Sequence, residues 1–178
     1  RSDFIMSGDS NVQRDQPVSC TRLDEVLGGG FPEFSFNLIA GGPGSGKTTL
    51  AHQIMFANAS PERKALYLSI VGEPPIKMLR YQQQFSFFDQ AKLGDGTVRF
   101  VHLGSTARSG GMSKVFEAVV QEVEKTNPAI VVVDSFRAMV RTALATGPDG
   151  EKELTDFMQR LALVLTSCEA TTFLIGEY

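Results

Sequence analysis

The stretch GGPGSGKTT, residues 41–49, constrains this chain more than any other because it follows the pattern G-x-x-x-x-G-K-T. Gly41, Gly46, Lys47 and Thr48 occupy the defining positions of that pattern. Glycines let a loop take left-handed φ angles and bring its backbone N–H groups against phosphate oxygens. The stretch therefore predicts a phosphate-binding loop rather than an ordinary glycine-rich turn.

The sequence on either side supports this interpretation. SFNLIA (35–40) is typical of a buried strand and TTLAHQIMFANA (48–59) of a helix, so the motif lies between a strand and a helix, as phosphate loops do. The helix would direct its positive dipole end at the same anion. Lys47 is expected to reach the β- and γ-phosphates and take part in catalysis, and the Thr48 hydroxyl to ligate Mg²⁺. The predicted nucleotide-binding residues of the loop are Gly41, Gly42, Pro43, Gly44, Ser45, Gly46, Lys47, Thr48 and Thr49.

The rest of the chain alternates strand and helix patterns. Repeated β-α-β units imply an α/β fold with a mostly parallel sheet and helices on both faces. Residues 1–17 are expected to form a polar tail and residues 18–178 one domain, with mobile loops at 104–111 and 145–150. The other predicted elements are strands at 65–70, 97–103, 129–134 and 171–176 and helices at 74–84, 112–125 and 151–167.

Acidic residues follow two of these strands, at the sheet edge where ligands collect in open α/β folds. Asp134 ends the apolar run AIVVVD, and a carboxylate in that position anchors the magnesium ion of a phosphate site. Ser135 could bond to a phosphate or to the attacking water, and a helix cap is an equal alternative. Glu73 lies between a strand and the helix opened by Pro74-Pro75, which makes it a candidate base for activating water. A helix-capping carboxylate is the alternative for Glu73.

The composition of the chain limits the classes of partner that it is expected to bind. The net charge of −3 and the absence of any run of lysine or arginine argue against nucleic acid as a partner. No apolar run reaches the roughly 18 residues that span a bilayer, which predicts no membrane association and a cytoplasmic location. Cys20 and Cys168 lack metal-ligand spacing and are expected to be reduced thiols.

Taken together, three segments resemble the KaiC-like ATPases of the RecA superfamily: the segment from RLDEVLGGG to the phosphate loop and its helix, then ALYLSIVGEPPIKML, then AIVVVDSFRAM. The resemblance covers about residues 19–178. It implies a RecA-like ATPase core that uses ATP and Mg²⁺, with the nucleotide between subunits of a homo-oligomeric ring, commonly a hexamer. In the circadian clock proteins of that family, two such domains occur in tandem and autophosphorylation accompanies hydrolysis. The resemblance therefore also raises autokinase activity and regulatory protein partners.

The sequence departs from the family pattern in several places. The family's usual pair of glutamates before the helix is here Gly72-Glu73, so one acid remains. The segment VSCTRLD is about two residues shorter than its family counterpart, and Phe34 stands at a turn where glycine is usual. The chain ends at GEY, whereas family members continue with strands that carry basic residues reaching a neighbouring subunit's nucleotide.

The sequence leaves several functions open. The first is an ATP-hydrolysing, ring-forming regulatory ATPase. The second is a DNA-dependent ATPase of the recombinase or helicase type, for which the glycine- and serine-rich stretch with Arg108 and Lys114 is the candidate contact and a flexible surface loop the alternative. The third is a nucleotide-dependent scaffold with little turnover, suggested by the single glutamate at position 73.

Overall fold

The computed structural model describes residues 15–16, 21–70, 75–135, 137, 139–140 and 149–177. The strands are β1 (Asp15–Gln16), β2 (Phe31–Pro32), β3 (Phe36–Gly41), β4 (Ala65–Ser69), β5 (Val98–His102), β6 (Ile130–Asp134) and β7 (Thr171–Glu177). The helices are α1 (Thr21–Val26), α2 (Lys47–Asn58), α3 (Pro75–Gln82), α4 (Gln90–Gly94), α5 (Gly104–Thr126) and α6 (Gly150–Ser167).

The main sheet has five strands in the order β3-β7-β6-β4-β5, and every neighbouring pair is parallel. This confirms the predicted α/β fold. A separate antiparallel pair joins β1 to β2, with Asp15 opposite Pro32. Part of the segment predicted to be a tail therefore contacts the turn that precedes β3.

The register of the sheet brings the carboxyl ends of several strands to one edge. Gly41 at the end of β3 lies opposite Glu177 of β7, and Asp134 of β6 lies opposite both Ile175 and Ser69. Residues far apart in sequence thus meet where the phosphate loop leaves β3, which is where open α/β sheets bind ligands.

Apolar residues of the central strands alternate between two cores because successive side chains of a strand point to opposite faces. In β4, Leu66 and Leu68 enter the core under α5 and α6, whereas Ala65 and Tyr67 enter the core under α2. Both cores are closed: the helical contributors Val115, Leu161 and Ile54 have no exposed surface. Helices therefore cover both faces of the sheet, as a buried parallel sheet requires.

The expectation of an irregular loop over residues 104–111 is wrong. These residues form the first part of α5, which bends at Gly111, where φ is 65° and ψ is −163°. Ala107 and Met112, one on each side of the bend, are buried against the core. Burial of these apolar side chains stabilises a helix that the glycine- and serine-rich sequence disfavours. Most of the second predicted loop, residues 145–148, lies outside the described residues, as does Cys20.

Phe34 adopts the conformation that its position requires. Its φ angle is 62°, in the left-handed region that favours glycine, and its backbone N–H donates to Thr171 Oγ1 at 2.9 Å. The turn before β3 is thereby tied to the start of β7. A glycine would adopt this φ angle without strain.

Two further expectations concern thiols and membranes. Cys168 is a free cysteine, as predicted. Among the helices that the structure describes, none is long and apolar enough to cross a membrane.

A histidine is buried inside the α2 core. His52 has no exposed surface, and its ring packs edge-on against Tyr67, with centroids 4.7 Å apart, and against Phe100 at 5.2 Å. Neither ring nitrogen makes a hydrogen bond of full geometry among the described residues, and the side chain of Gln82 is the polar group beside the ring. Burial lowers the pKa of His52 from 6.5 to about 4 because the charged imidazolium loses its hydration. His52 is therefore neutral at pH 7.

This buried histidine predicts a loss of stability in mild acid. Between pH 6.5 and pH 4 the unfolded chain binds a proton at His52 that the folded chain does not, so stability falls as pH falls. From pH 7 to pH 5 the loss from this residue is about 2 kcal/mol. Urea unfolding of His52→Leu should show a pH dependence smaller by that amount. Equal pH dependence in wild type and His52→Leu would contradict the assignment.

Candidate nucleotide-binding site

A cavity of about 380 Å³ lies at the carboxyl edge of the sheet. It collects residues from the phosphate loop, α2, α3, β6 and β7. The predicted residues Lys47, Thr48, Asp134 and Ser135 all contribute to its wall. The full lining is Gly44, Ser45, Gly46, Lys47, Thr48, Thr49, Tyr81, Asp134, Ser135, Ile175 and Glu177. Gly41, Gly42 and Pro43 belong to the same loop but do not line the cavity.

The loop depends on glycine at specific positions. Gly44 and Gly46 have φ angles of 72° and 86°, a conformation that residues with a Cβ rarely adopt. At Gly41 a Cβ atom would lie 2.7 Å from Ser45 Oγ, so a side chain there would displace Ser45. Gly46 precedes the first residue of α2 and contributes no side-chain cap. The amide groups that begin α2 are thus left for an anion in the cavity.

The Lys47 ammonium is already held over the loop. Its Nζ atom donates to the carbonyl oxygens of Gly41, at 2.9 Å, and Gly42, at 2.7 Å. No acidic residue lies in the first turn of α2 to neutralise this charge or the helix dipole. The loop end of the cavity is therefore electropositive and suited to phosphate.

Asp134, the acid predicted to anchor magnesium, is connected to the loop helix by a hydrogen bond. Thr48 Oγ1 donates to Asp134 Oδ2 at 3.0 Å. The hydroxyl of Tyr67, from the buried face of β4, donates to the same carboxylate oxygen. Burial raises the pKa of Tyr67, and the nearby charge of Asp134 raises it further, so Tyr67 keeps its proton and acts as the donor.

These groups fit magnesium better than a transition metal. The described residues contain no group of three or more His, Cys, Asp or Glu side chains that could hold a metal ion by themselves. Mg²⁺ does not need one, because it is held by one or two protein oxygens together with substrate phosphates and water. The Thr48 hydroxyl and the Asp134 carboxylate are the oxygens that would hold it. The bound ion would neutralise charge on the phosphate oxygens.

Two further residues lie at the rim of this cavity: Glu177, which follows a predicted strand and is thereby expected at this edge, and Tyr81, which no local sequence signal indicates. Glu177 forms an ion pair with Arg137, with Oε2 and Nη1 3.0 Å apart, directly beside the phosphate loop. Tyr81 of α3 also lines the cavity, and 59% of its surface is exposed. The sequence around Tyr81 does not distinguish it from any other exposed aromatic residue on a helix. Only the packing of α3 against the sheet places it at the nucleotide site.

Glu73, the predicted base, lies outside the described residues. The described strand β4 ends at Ser69 and α3 begins at Pro75, and Ser69 lies opposite Asp134 in the sheet. The role of Glu73 therefore stays a prediction.

A larger cleft, of about 640 Å³, lies near the amino ends of β4 and β5. Lys64, Arg99 and Lys125 line it together with apolar side chains. None of the predicted site residues is among its lining residues. The phosphate loop and α2 do not line it either. The residues that line it, rather than its volume, therefore make the cavity at the carboxyl edge the candidate nucleotide site.

Comparison with known proteins agrees with this geometry. A family model described as "ATPase: KaiC" matches residues 17–178. The DNA repair protein RadA of Mycobacterium tuberculosis is 33% identical over 174 residues, which covers 97% of this chain and 33% of RadA. RadA of Bacillus subtilis is 26% identical over 166 residues, covering 92% and 32% of the two chains. The chain thus spans about a third of the length of these relatives.

A solved structure shares the fold. The crystal structure of a KaiC-like protein from the hyperthermophilic archaeon Pyrococcus horikoshii superposes with a TM-score of 0.72 at 23% identity, covering 93% of this chain and 72% of that one. The resemblance seen in the sequence is confirmed by the family match, and the fold by this superposition. The chain belongs to the KaiC family of ATPases within the RecA superfamily.

Proposed function

We propose that this chain is the ATP-binding and ATP-hydrolysing core of a KaiC-like regulatory ATPase. The observation that supports the proposal most strongly is the convergence of Lys47, Thr48 and Asp134 on one cavity at the end of a parallel sheet. Each supplies what a nucleoside triphosphate needs: a cation for the phosphates, and two oxygen ligands for the accompanying magnesium ion.

The residues take separate roles in hydrolysis. The backbone N–H groups of the loop and Lys47 bind the β- and γ-phosphates and stabilise the charge that develops on them. Thr48 and Asp134 hold Mg²⁺, and Ser135 lies close enough to the cavity to bond to a phosphate or to the attacking water. Glu73 takes a proton from that water as its oxygen attacks the γ-phosphorus, while the bond to the ADP oxygen breaks. The products are ADP and inorganic phosphate.

Replacement of the proposed base tests hydrolysis directly. Glu73→Gln removes the proton acceptor but keeps a side chain of similar size, so single-turnover hydrolysis of bound ATP should slow by about 10²–10⁴-fold. Nucleotide affinity should change little, because Glu73 is not assigned to the phosphates. Rapid-quench measurement with radiolabelled ATP gives the rate.

The matched control is Glu117→Gln, which removes the same charge from the exposed face of α5, outside the cavity. It should hydrolyse at the wild-type rate. Equal rates for wild type and Glu73→Gln would show that Glu73 is not the base, and a wild type that binds ATP without turnover would favour the scaffold hypothesis. Label from the γ-phosphate that stays on the protein would reveal the autokinase activity that the family resemblance raises.

Assembly into a ring is the second part of the proposal. It is supported by the family resemblance and by the exposed rim of the cavity, where Tyr81 leaves most of its surface uncovered. A neighbouring subunit placed there would cover the nucleotide. We expect the protein to elute from a sizing column as a larger species, a hexamer, in the presence of Mg²⁺ and ATP. A monomer both with and without Mg²⁺ and ATP would refute assembly by this chain.

A DNA-dependent ATPase is the second candidate function, because the relatives reported above are DNA repair proteins. That finding does not fit well with the expectation that nucleic acid is no partner. Arg108 and Lys114, the candidate contacts, are both exposed on α5 rather than on a loop.

If this candidate is correct, single-stranded DNA should bind at low salt, with an affinity that falls steeply as salt rises because phosphate contacts release counterions. Arg108→Gln combined with Lys114→Gln should weaken binding of the DNA. The double substitution should also make the slope of log affinity against log salt concentration shallower, by about the contribution of two phosphate contacts. Fluorescence anisotropy with a labelled oligonucleotide measures both quantities. No binding at low salt would eliminate the DNA-dependent candidate and leave the regulatory ATPase.

A further inference from the structure

Tyr67 makes a contact that links the hydrophobic core to the metal side of the cavity. Its hydroxyl donates to Asp134 Oδ2, which also accepts from Thr48 Oγ1 at 3.0 Å. The other carboxylate oxygen, Oδ1, accepts no hydrogen bond from any residue that the structure describes. One oxygen of Asp134 is thus held by two donors from different elements.

Tyr67 itself has little freedom to move. Only 1% of its surface is exposed, and its ring packs edge-on against His52, with centroids 4.7 Å apart, and at a tilt against Phe100, with centroids 5.0 Å apart. A phenol fixed in this way presents its hydroxyl in one direction only. In a site removed from water, such a hydrogen bond is electrostatically stronger than at the surface.

The two donors to Asp134 differ in what a metal ion would do to them. Thr48 is itself a predicted magnesium ligand, so its oxygen would be shared with the ion. Tyr67 does not line the cavity, and its hydroxyl donates to Asp134 Oδ2 from within the core. The Thr48 hydroxyl could still donate its proton to Asp134 with its oxygen on the ion, whereas Tyr67 donates from a position that the core fixes without the metal.

We propose that Tyr67 is a positioning residue for the magnesium site, which orients the Asp134 carboxylate before the ion arrives and so strengthens metal binding. The inference rests on the proposed function, because it assigns Asp134 to the metal. Outer partners that hydrogen-bond a ligating carboxylate raise metal affinity about 10–100-fold. A purely structural tyrosine would instead use Asp134 only to satisfy its own buried hydroxyl.

The test separates these two roles by measuring metal affinity itself. Tyr67→Phe removes the hydroxyl and keeps the ring. Mn²⁺ serves as a paramagnetic substitute for Mg²⁺, and free Mn²⁺ is measured by electron paramagnetic resonance in the presence of saturating ADP. We expect Tyr67→Phe to raise the Mn²⁺ dissociation constant about 10–100-fold. The affinity of the variant for ADP in EDTA should equal that of wild type. The Mg²⁺ concentration that half-saturates ATP hydrolysis should rise, and high Mg²⁺ should largely restore the maximal rate.

Phe173→Leu is the matched control for loss of packing. Phe173 is fully buried in the same core as Tyr67 but makes no hydrogen bond to Asp134. The Phe173→Leu substitution should lower the melting temperature without altering the affinity for Mn²⁺. If Tyr67→Phe binds Mn²⁺ as tightly as wild type, or if Phe173→Leu loses as much affinity, the positioning role is overturned and the proposed ATPase stands. If wild type with ADP binds no Mn²⁺, the metal assignment of Asp134 falls together with this inference.

Discussion

The hydrogen bond between Thr48 and Asp134 is the contact on which the site depends. It joins the first turn of α2, which begins at the phosphate loop, to the end of β6 across 86 residues of sequence. Neither element could hold a magnesium nucleotide alone: the loop supplies cationic and N–H groups, and the strand supplies the carboxylate. The parallel sheet makes the contact possible, because it places the carboxyl ends of β3, β7 and β6 side by side.

The aromatic core beneath α2 extends this arrangement. His52, Tyr67 and Phe100 pack together directly under the site, and Tyr67 alone of the three makes a polar contact with Asp134. The neutral state of His52 matters here, since a charged imidazolium against the Tyr67 ring would require hydration that this core does not provide. The core residue Tyr67 is therefore also a hydrogen-bond partner of the carboxylate that is proposed to hold the metal.

Much of this could be predicted from the sequence because the informative signals are local. The spacing of Gly41, Gly46, Lys47 and Thr48 defines a backbone conformation, and an apolar strand ending in Asp134 places a carboxylate at a known edge.

What could not be predicted depends on contacts between distant residues. Nothing local shows that Tyr67 meets Asp134 or that Tyr81 lines the cavity. Residues 104–111 carry the composition of a loop, yet burial of Ala107 and Met112 makes the segment helical up to the bend at Gly111. Tertiary packing overrides local propensity there.

We propose that a magnesium nucleotide binds at the phosphate loop through Lys47. Isothermal titration calorimetry of ATP with Mg²⁺ into wild type and into Lys47→Ala measures this binding directly. We expect one nucleotide per wild-type chain, with an affinity that falls when Mg²⁺ is removed, and no measurable binding by Lys47→Ala. Binding of equal affinity by the Lys47→Ala variant would contradict it.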